Sequence, residues 1–186
     1  NFENYDQIVE RLGGESNAFT NNDITNYYLS VPNIYLQYAL DLEADRMQNL
    51  NLNQKSLEVQ KSVVIEEFKQ RYINQPYGDL WKEIRQLSFT LHPYQHQTIG
   101  KCIEHIENVS LERAKQFYEN YYTPSNAILA ISGNVELSEL KTMVENSFGK
   151  IPYKKTIKKT YPCETKQSEN RKKTVKADVP ANLICI

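Results

Sequence analysis

Residues 56–72 read SLEVQKSVVIEEFKQRY, and this stretch has the apolar spacing of one face of a long helix. Because successive helical residues advance by about 100°, Leu57, Val64 and Phe68 fall within roughly 40° of one another and form a stripe that should be buried. The pattern predicts a helix over residues 54–73, the longest in the chain, which ends near Pro76 and Gly78.

The acidic pair on this helix, Glu66 and Glu67, is not symmetric. Glu66 falls about 200° from Val64, so it should face solvent. Glu67 falls about 60° from Val64, at the same border of the stripe as Gln60, where a carboxylate needs a partner or a metal ion. The spacing alone favours an ion pair with Arg71, four residues on, and a metal ligand is the alternative.

Outward from this helix, helical and extended patterns alternate along the chain. A β-hairpin is predicted around Asn21-Asn22-Asp23, because these residue types favour turns. The succession of segments predicts an α+β fold, in which an antiparallel sheet has helices packed on one face. The other predicted segments are helices at 4–12, 34–48, 79–89, 111–121 and 137–148, hairpin strands at 17–20 and 24–31, a buried strand at 126–132, and strands at 174–179 and 182–186.

The domain organisation follows from a change in composition after Pro152. Residues 1–152 are predicted to form a partial α+β domain, and residues 153–173, which carry seven Lys, a linker or an exposed hairpin. Residues 174–186 would then begin the next strand region. Because the chain starts with Asn1 rather than Met and stops inside an apparent strand, we expect a fragment truncated at both ends.

The overall charge excludes some classes of partner. With 22 basic and 23 acidic side chains, the net charge of −1 provides no field that would attract nucleic acid or an anionic membrane. No stretch is long and apolar enough to predict a membrane span. The three cysteines are widely spaced and include no Cys-x-x-Cys pair, so free thiols are expected.

The three histidines offer an alternative metal site. His92 and His96 have the spacing of ligands on one helix turn, and His105 and Cys102 follow. Pro93 argues against a helix here, so the spacing loses its meaning, and loop or surface positions are the better interpretation.

The order of short motifs resembles the amino-terminal metal-binding domain of the pitrilysin/insulinase (M16) family of zinc metallopeptidases. The resemblance covers about residues 1–152. The motifs are Ser16-Asn17-Ala18-Phe19-Thr20, Thr25-Asn26-Tyr27-Tyr28, Asp45-Arg46-Met47, Val63 to Phe68 (VVIEEF), His92-Pro93-Tyr94, Tyr121-Tyr122 before Pro124-Ser125-Asn126, and Gly133-Asn134-Val135 before a helix that ends at Phe148-Gly149.

This resemblance implies a zinc site and a hydrolytic reaction. In the family an inverted His-x-x-Glu-His helix supplies two ligands and the general base, a glutamate on a later helix completes the site, and a metal-activated water attacks the peptide carbonyl. The match makes Glu67 the later ligand. The His-x-x-Glu-His motif is absent from this chain, which is therefore expected to be inactive alone and to bind zinc poorly. Gln60 stands where many members have a supporting glutamate, and an amide cannot act as a base.

The resemblance also implies partners. Asn17, Ala18, Phe19 and Thr20 would belong to an edge strand that pairs with an extended peptide substrate, and a second homologous domain or subunit would complete the clamshell. Without the resemblance, the same residues would be an ordinary hairpin strand whose Asn17 caps a turn.

The sequence is compatible with three functions. The first is part of a zinc-dependent endopeptidase that hydrolyses peptides or small proteins, and the presence of Glu67 favours it. The second is a catalytically silent homologue that serves as a partner subunit or scaffold. The third is a peptide-binding module that uses the edge strand at Asn17 without cleavage.

Overall fold

The computed structural model describes residues 4–155 and 159–186, in an α+β arrangement that confirms the predicted fold class. The predicted hairpin and helices are present, with end positions shifted by a few residues. The elements are α1 (Tyr5–Arg11), β1 (Glu15–Thr20), β2 (Thr25–Ser30), α2 (Leu36–Asn49), α3 (Gln54–Phe68), a π-helical segment (Lys69–Ile73), α4 (Leu80–Ser88), α5 (Ile103–Glu107), α6 (Leu111–Tyr121) and α7 (Leu137–Phe148).

The chain divides into two compact units. The first comprises Asn1–Leu52 and Glu112–Lys158, and the second Asn53–Leu111 and Lys159–Ile186. This division does not test the predicted boundaries at residues 152 and 173, which stay a prediction.

The first unit contains the hairpin and four of the helices named above. Strands β1 and β2 are antiparallel, with a register that runs from Glu15 opposite Ser30 to Thr20 opposite Thr25. The Asn21 side chain closes the turn, because its Oδ1 accepts hydrogen bonds from the backbone N–H groups of Asp23 and Ile24 at 2.9 and 3.0 Å. Helices α2 and α7 pack together, and the buried apolar side chains of this unit are Val9, Ala39, Leu40 and Ala44.

A glycine pair joins α1 to the hairpin. Gly13 has a φ of +71°, which an L side chain rarely adopts. A Cβ at Gly14 would lie 2.5 Å from the carbonyl oxygen of Ser30. The predicted helix end at Gly13-Gly14 is therefore confirmed, and the second glycine lets β1 start close to the end of β2.

The second unit is built around α3, which packs against α5. Its buried apolar side chains are Phe68, on the predicted stripe of α3, and Ile106 of α5. Residues 164–181, called the strap here, run along α4 in the opposite direction. Arg171 donates to the carbonyl oxygen of Leu87 at 2.6 Å, and Tyr77 donates to that of Ala181 at 2.6 Å.

Three predicted strands are wrong. Residues 127–132 and the predicted strands at 174–179 and 182–186 have no strand structure, and Ile128 is 98% exposed. An apolar run becomes a strand only where a neighbouring strand supplies hydrogen-bond partners. Within residues 4–155 and 159–186, β1 and β2 pair with each other and with no third strand, so these runs lack that partner.

The Glu164 carboxylate, called the latch here, attaches the strap to residues 90–92. Glu164 accepts hydrogen bonds from the backbone N–H groups of Thr90, Leu91 and His92 at 2.9, 2.6 and 2.6 Å, and from the Thr90 hydroxyl at 2.9 Å. These hydrogen bonds, those from the backbone first, lower the pKa of Glu164 to about 2. Consecutive amides that converge on one carboxylate form a compact anion cradle.

Replacing Glu164 by alanine is expected to release the strap at neutral pH. Because the pKa of Glu164 is depressed in the folded chain, its stabilising contribution is present above the ordinary value of 4.5 and is lost as the pH falls toward about 2. We expect hydrogen exchange at Thr90, Leu91 and His92 to accelerate about tenfold in the variant, and to show the same loss of protection in the unmodified chain near pH 2. Glu169→Gln, on the same strap, is the matched control and should leave exchange unchanged. Equal exchange in Glu164→Ala and the unmodified chain would contradict the latch.

Candidate functional site

Helix α3 presents the acidic pair that the sequence singled out. The helix begins with a capping box, in which the Asn53 side chain accepts from the Ser56 N–H at 3.0 Å and the Ser56 hydroxyl accepts from the Asn53 N–H at 3.2 Å. Phe68 is buried and Leu57 and Val64 are half-buried, as the stripe predicts. The stripe thereby orients the last turn of the helix, which carries the two carboxylates.

The two carboxylates differ in the predicted sense. The Glu66 side chain is 61% exposed and pairs with Lys69 at 2.6 Å. The Glu67 side chain is 42% exposed, and its Oε1 lies 2.8 Å from the guanidinium of Arg71. The ion pair that the i, i+4 spacing favoured is thus present. Because this ion pair is exposed, it contributes little to stability. A role of Glu67 as a metal ligand stays a proposal.

A π-helical segment follows the acidic pair and was missed by the sequence analysis. Lys69–Ile73 has π-helical hydrogen bonding, and the N–H of Asn74 donates to the carbonyl oxygen of Lys69 at 2.8 Å. The rings of Phe68 and Tyr72 pack across this turn with centroids 5.2 Å apart. Side-chain periodicity does not distinguish one wide turn from regular α-helix. Such turns are frequent at functional sites, and this one carries Arg71, the partner of Glu67.

The described residues do not form a zinc site by themselves. Within the described ranges, no group of three His, Cys, Asp or Glu side chains is placed to hold a metal ion. Glu67 would therefore be a single ligand, where structural and catalytic zinc sites need three or four. Gln60 is exposed and lies seven residues before Glu67, about 10 Å along the helix axis and on nearly the same face.

The histidines have other surroundings. The His92 ring packs edge-on against Tyr94, with centroids 4.3 Å apart, and its Nδ1 accepts from the Tyr94 N–H at 3.3 Å. Burial, followed by the nearby charge of Lys101, lowers the pKa of His96. His92 starts a short 3₁₀ turn at Pro93 rather than an α-helix, as the proline predicts.

Strand β1 has a free edge, and its register shows which amides line it. The N–H of Asn21 donates to the carbonyl oxygen of Ile24 at 3.0 Å, so odd-numbered residues of β1 turn their backbone groups toward β2. Because this direction alternates along an antiparallel strand, the backbone N–H and C=O groups of Ser16, Ala18 and Thr20 point away from β2. Ala18 and Thr20 are exposed, and in the part of the chain that the structure describes no strand lies along this edge. The geometry suits addition of an extended peptide strand.

The Asn17 side chain covers one position of this edge. Its Oδ1 accepts from the N–H of Ala18 at 2.8 Å, in the place that the carbonyl of an added strand would occupy. Asn17 therefore bonds to its neighbour's amide and does not cap a turn. Phe19, 50% exposed, lies on the same face of the hairpin as Asn17.

A group of polar and aromatic side chains surrounds Tyr27 of the hairpin, and local sequence patterns gave it no role. The Arg46 guanidinium stacks on the Tyr27 ring, 4.0 Å from the centroid, and pairs with Glu43. The Tyr27 hydroxyl is hydrogen-bonded to that of Tyr122 at 2.5 Å. The pKa of Tyr122 is raised, first by burial and then by this hydrogen bond. The motif Asp45-Arg46-Met47 includes Arg46, but its contact with Tyr27 joins two elements and is visible only in the folded chain.

No helix in the described part of the chain has the length and apolar character required to cross a bilayer.

The two candidate site elements belong to different units: Glu67 lies in the second unit and β1 in the first.

Comparison with known proteins gives matches along most of the chain. Residues 1–99 match the family model described as Insulinase (Peptidase family M16), and residues 108–186 match the model described as Peptidase M16 inactive domain.

Among curated relatives, the zinc protease PqqE of Helicobacter pylori is 34% identical over 176 residues, which cover 94% of this chain and 39% of the relative. The uncharacterized zinc protease YmxG of Bacillus subtilis is 29% identical over 143 residues, which cover 77% of this chain and 34% of the relative. A crystal structure of a protease from Helicobacter pylori has a TM-score of 0.76 and 34% identity, and the match covers 85% of this chain and 37% of that one. The chain thus spans little more than a third of the length of these proteins.

Proposed function

Because the chain belongs to the insulinase family of peptidases (peptidase family M16), we propose that it is part of a zinc-dependent endopeptidase that hydrolyses peptides or small proteins. The observation that carries the proposal is the free edge of β1, where Ala18 and Thr20 are exposed residues whose backbone groups turn away from β2 and suit an extended peptide backbone. The zinc protease names of two relatives support the zinc.

In this proposal Glu67 is one zinc ligand and Asn17 to Thr20 bind substrate. The position of Glu67 at the border of the apolar stripe of α3 supports the first role, and the Arg71 ion pair would orient the carboxylate before metal binds. The remaining ligands and a second homologous domain or subunit would lie outside this chain. Gln60, exposed and two turns before Glu67, would bond to a neighbouring group but supply no base.

The test is cleavage of an unstructured peptide by the complete protein that contains this chain. We expect cleavage that a chelator abolishes and that stoichiometric zinc restores. The 186-residue chain alone is expected to bind zinc weakly and cleave nothing, since it offers one ligand. Tight stoichiometric zinc in the isolated chain, or cleavage by the complete protein that survives the chelator, would contradict the proposal.

A second candidate is a catalytically silent homologue that acts as a partner subunit or scaffold. The match of residues 108–186 to a model described as an inactive domain favours it. The same peptide assay separates the two: a silent homologue would neither cleave nor bind stoichiometric zinc, and would show activity only in a mixture with an active partner.

A further inference from the structure

The side chains of the hairpin are only partly covered by the rest of the chain. No residue of β1 or β2 is buried, and Phe19, Tyr27 and Tyr28 are 50%, 37% and 49% exposed. A two-stranded hairpin is marginally stable without a packed face. The contacts that fix the free edge must therefore include polar and aromatic ones.

Tyr27 connects the hairpin to the polar and aromatic side chains outside it. It lies directly opposite Ala18 in the register, so their side chains share one face of the hairpin. Its ring stacks under the Arg46 guanidinium at 4.0 Å, and its hydroxyl bonds to Tyr122 at 2.5 Å. The Tyr27 ring is therefore held on its face by Arg46 and at its hydroxyl by Tyr122, directly across the hairpin from Ala18.

Arg46 is itself held on both its side chain and its backbone. Its guanidinium pairs with Glu43, and the two side chains are only 23% and 24% exposed. The Glu43 carboxylate also accepts from the Tyr5 hydroxyl, and the Arg46 carbonyl accepts from the Tyr118 hydroxyl at 2.8 Å. Exclusion of water strengthens both the ion pair and the cation–π contact. Arg46 is thus a fixed cation against which the Tyr27 ring rests.

We infer that Arg46 is a positioning residue for peptide binding: it holds Tyr27, and through Tyr27 it sets the orientation of the outward amides of Ala18 and Thr20. The inference rests on the proposed role of β1 as the strand that binds substrate backbone. It assigns α2 a part in substrate affinity although α2 contributes no group to the free edge.

The experiment measures the Kd of a fluorescent unstructured peptide for the complete protein in its metal-free form, so that no turnover intervenes. The double variant Glu43→Gln/Arg46→Met removes the cation without leaving an unpaired carboxylate. We expect its Kd to rise about three- to tenfold, and Arg46→Lys, which keeps the charge over the ring, to restore most of the affinity. Glu58→Gln/Lys61→Met, which removes another i, i+3 pair, on α3, is the matched control and should leave Kd unchanged.

A second measurement separates this inference from the proposed function. Hydrogen exchange at Ala18 and Thr20 should change in the double variant while exchange in α7 does not. If the unmodified protein binds no peptide, the proposed role of β1 fails, and the exchange result still decides whether Arg46 orients the edge. If Glu43→Gln/Arg46→Met fails to fold, Tyr27→Leu, which keeps the Glu43 pair, takes its place. A folded variant with unchanged Kd and unchanged exchange at Ala18 and Thr20 would overturn the inference.

Discussion

Replacing Glu67 by glutamine in the complete protein is expected to lower peptide cleavage by more than about 100-fold and to weaken zinc binding in parallel. Loss of groups that merely orient a zinc ligand costs 10- to 100-fold, so loss of a charged ligand should cost more. The measurements are kcat/KM for an unstructured peptide and zinc content after dialysis. We expect both to fall together, because an amide oxygen is a poorer zinc ligand than a carboxylate.

The neighbouring glutamate is the control for Glu67. Glu66→Gln changes the same residue type one position away, in a side chain that is 61% exposed and paired with Lys69. We expect its kcat/KM to stay within about twofold of the unmodified protein, as for most surface substitutions. If Glu67 instead serves only the ion pair with Arg71, Glu67→Gln would cost less than about 1 kcal/mol of stability and leave zinc and cleavage intact, which would contradict the ligand role.

Proline at position 18 is expected to raise KM at least about tenfold with the hairpin still folded. The substitution deletes the Ala18 N–H, which turns away from β2, so no hydrogen bond of the ladder is lost. A peptide strand added at this edge would lose a hydrogen bond, and proline would also restrict the backbone at the point of contact. The measurements are KM for a peptide substrate and the circular dichroism spectrum of the variant.

Two further variants separate the amide from the side chain. Ala18→Val adds bulk but keeps the N–H, so it should affect KM less than proline does. Phe19→Pro deletes an amide that faces β2, so it should destabilise the hairpin itself. Equal KM values for the unmodified protein and Ala18→Pro would show that the substrate backbone does not pair with this edge.

Local sequence patterns were sufficient to predict the hairpin and every helix named above except the short α5 (Ile103–Glu107), which is too brief to show a clear period. The stripe of Leu57, Val64 and Phe68 correctly predicted that Glu67 is less exposed than Glu66, because both positions depend only on the angular step of a helix. The predicted strand at 126–132 is wrong because strand formation depends on more than local sequence. Its apolar residues satisfy a local pattern, but a strand also needs a partner that is remote in sequence.

The sequence by itself therefore determined the family, the helical face on which Glu67 lies and the hairpin that carries Asn17 to Thr20. Only the tertiary structure decided that the free edge of β1 consists of the outward amides at 16, 18 and 20, that Asn17 covers one of them, and that Arg46 stacks on Tyr27. Periodicity along one chain carries the first kind of information. The second depends on contacts between elements, which form as side chains exclude water and find hydrogen-bond partners far away in the sequence.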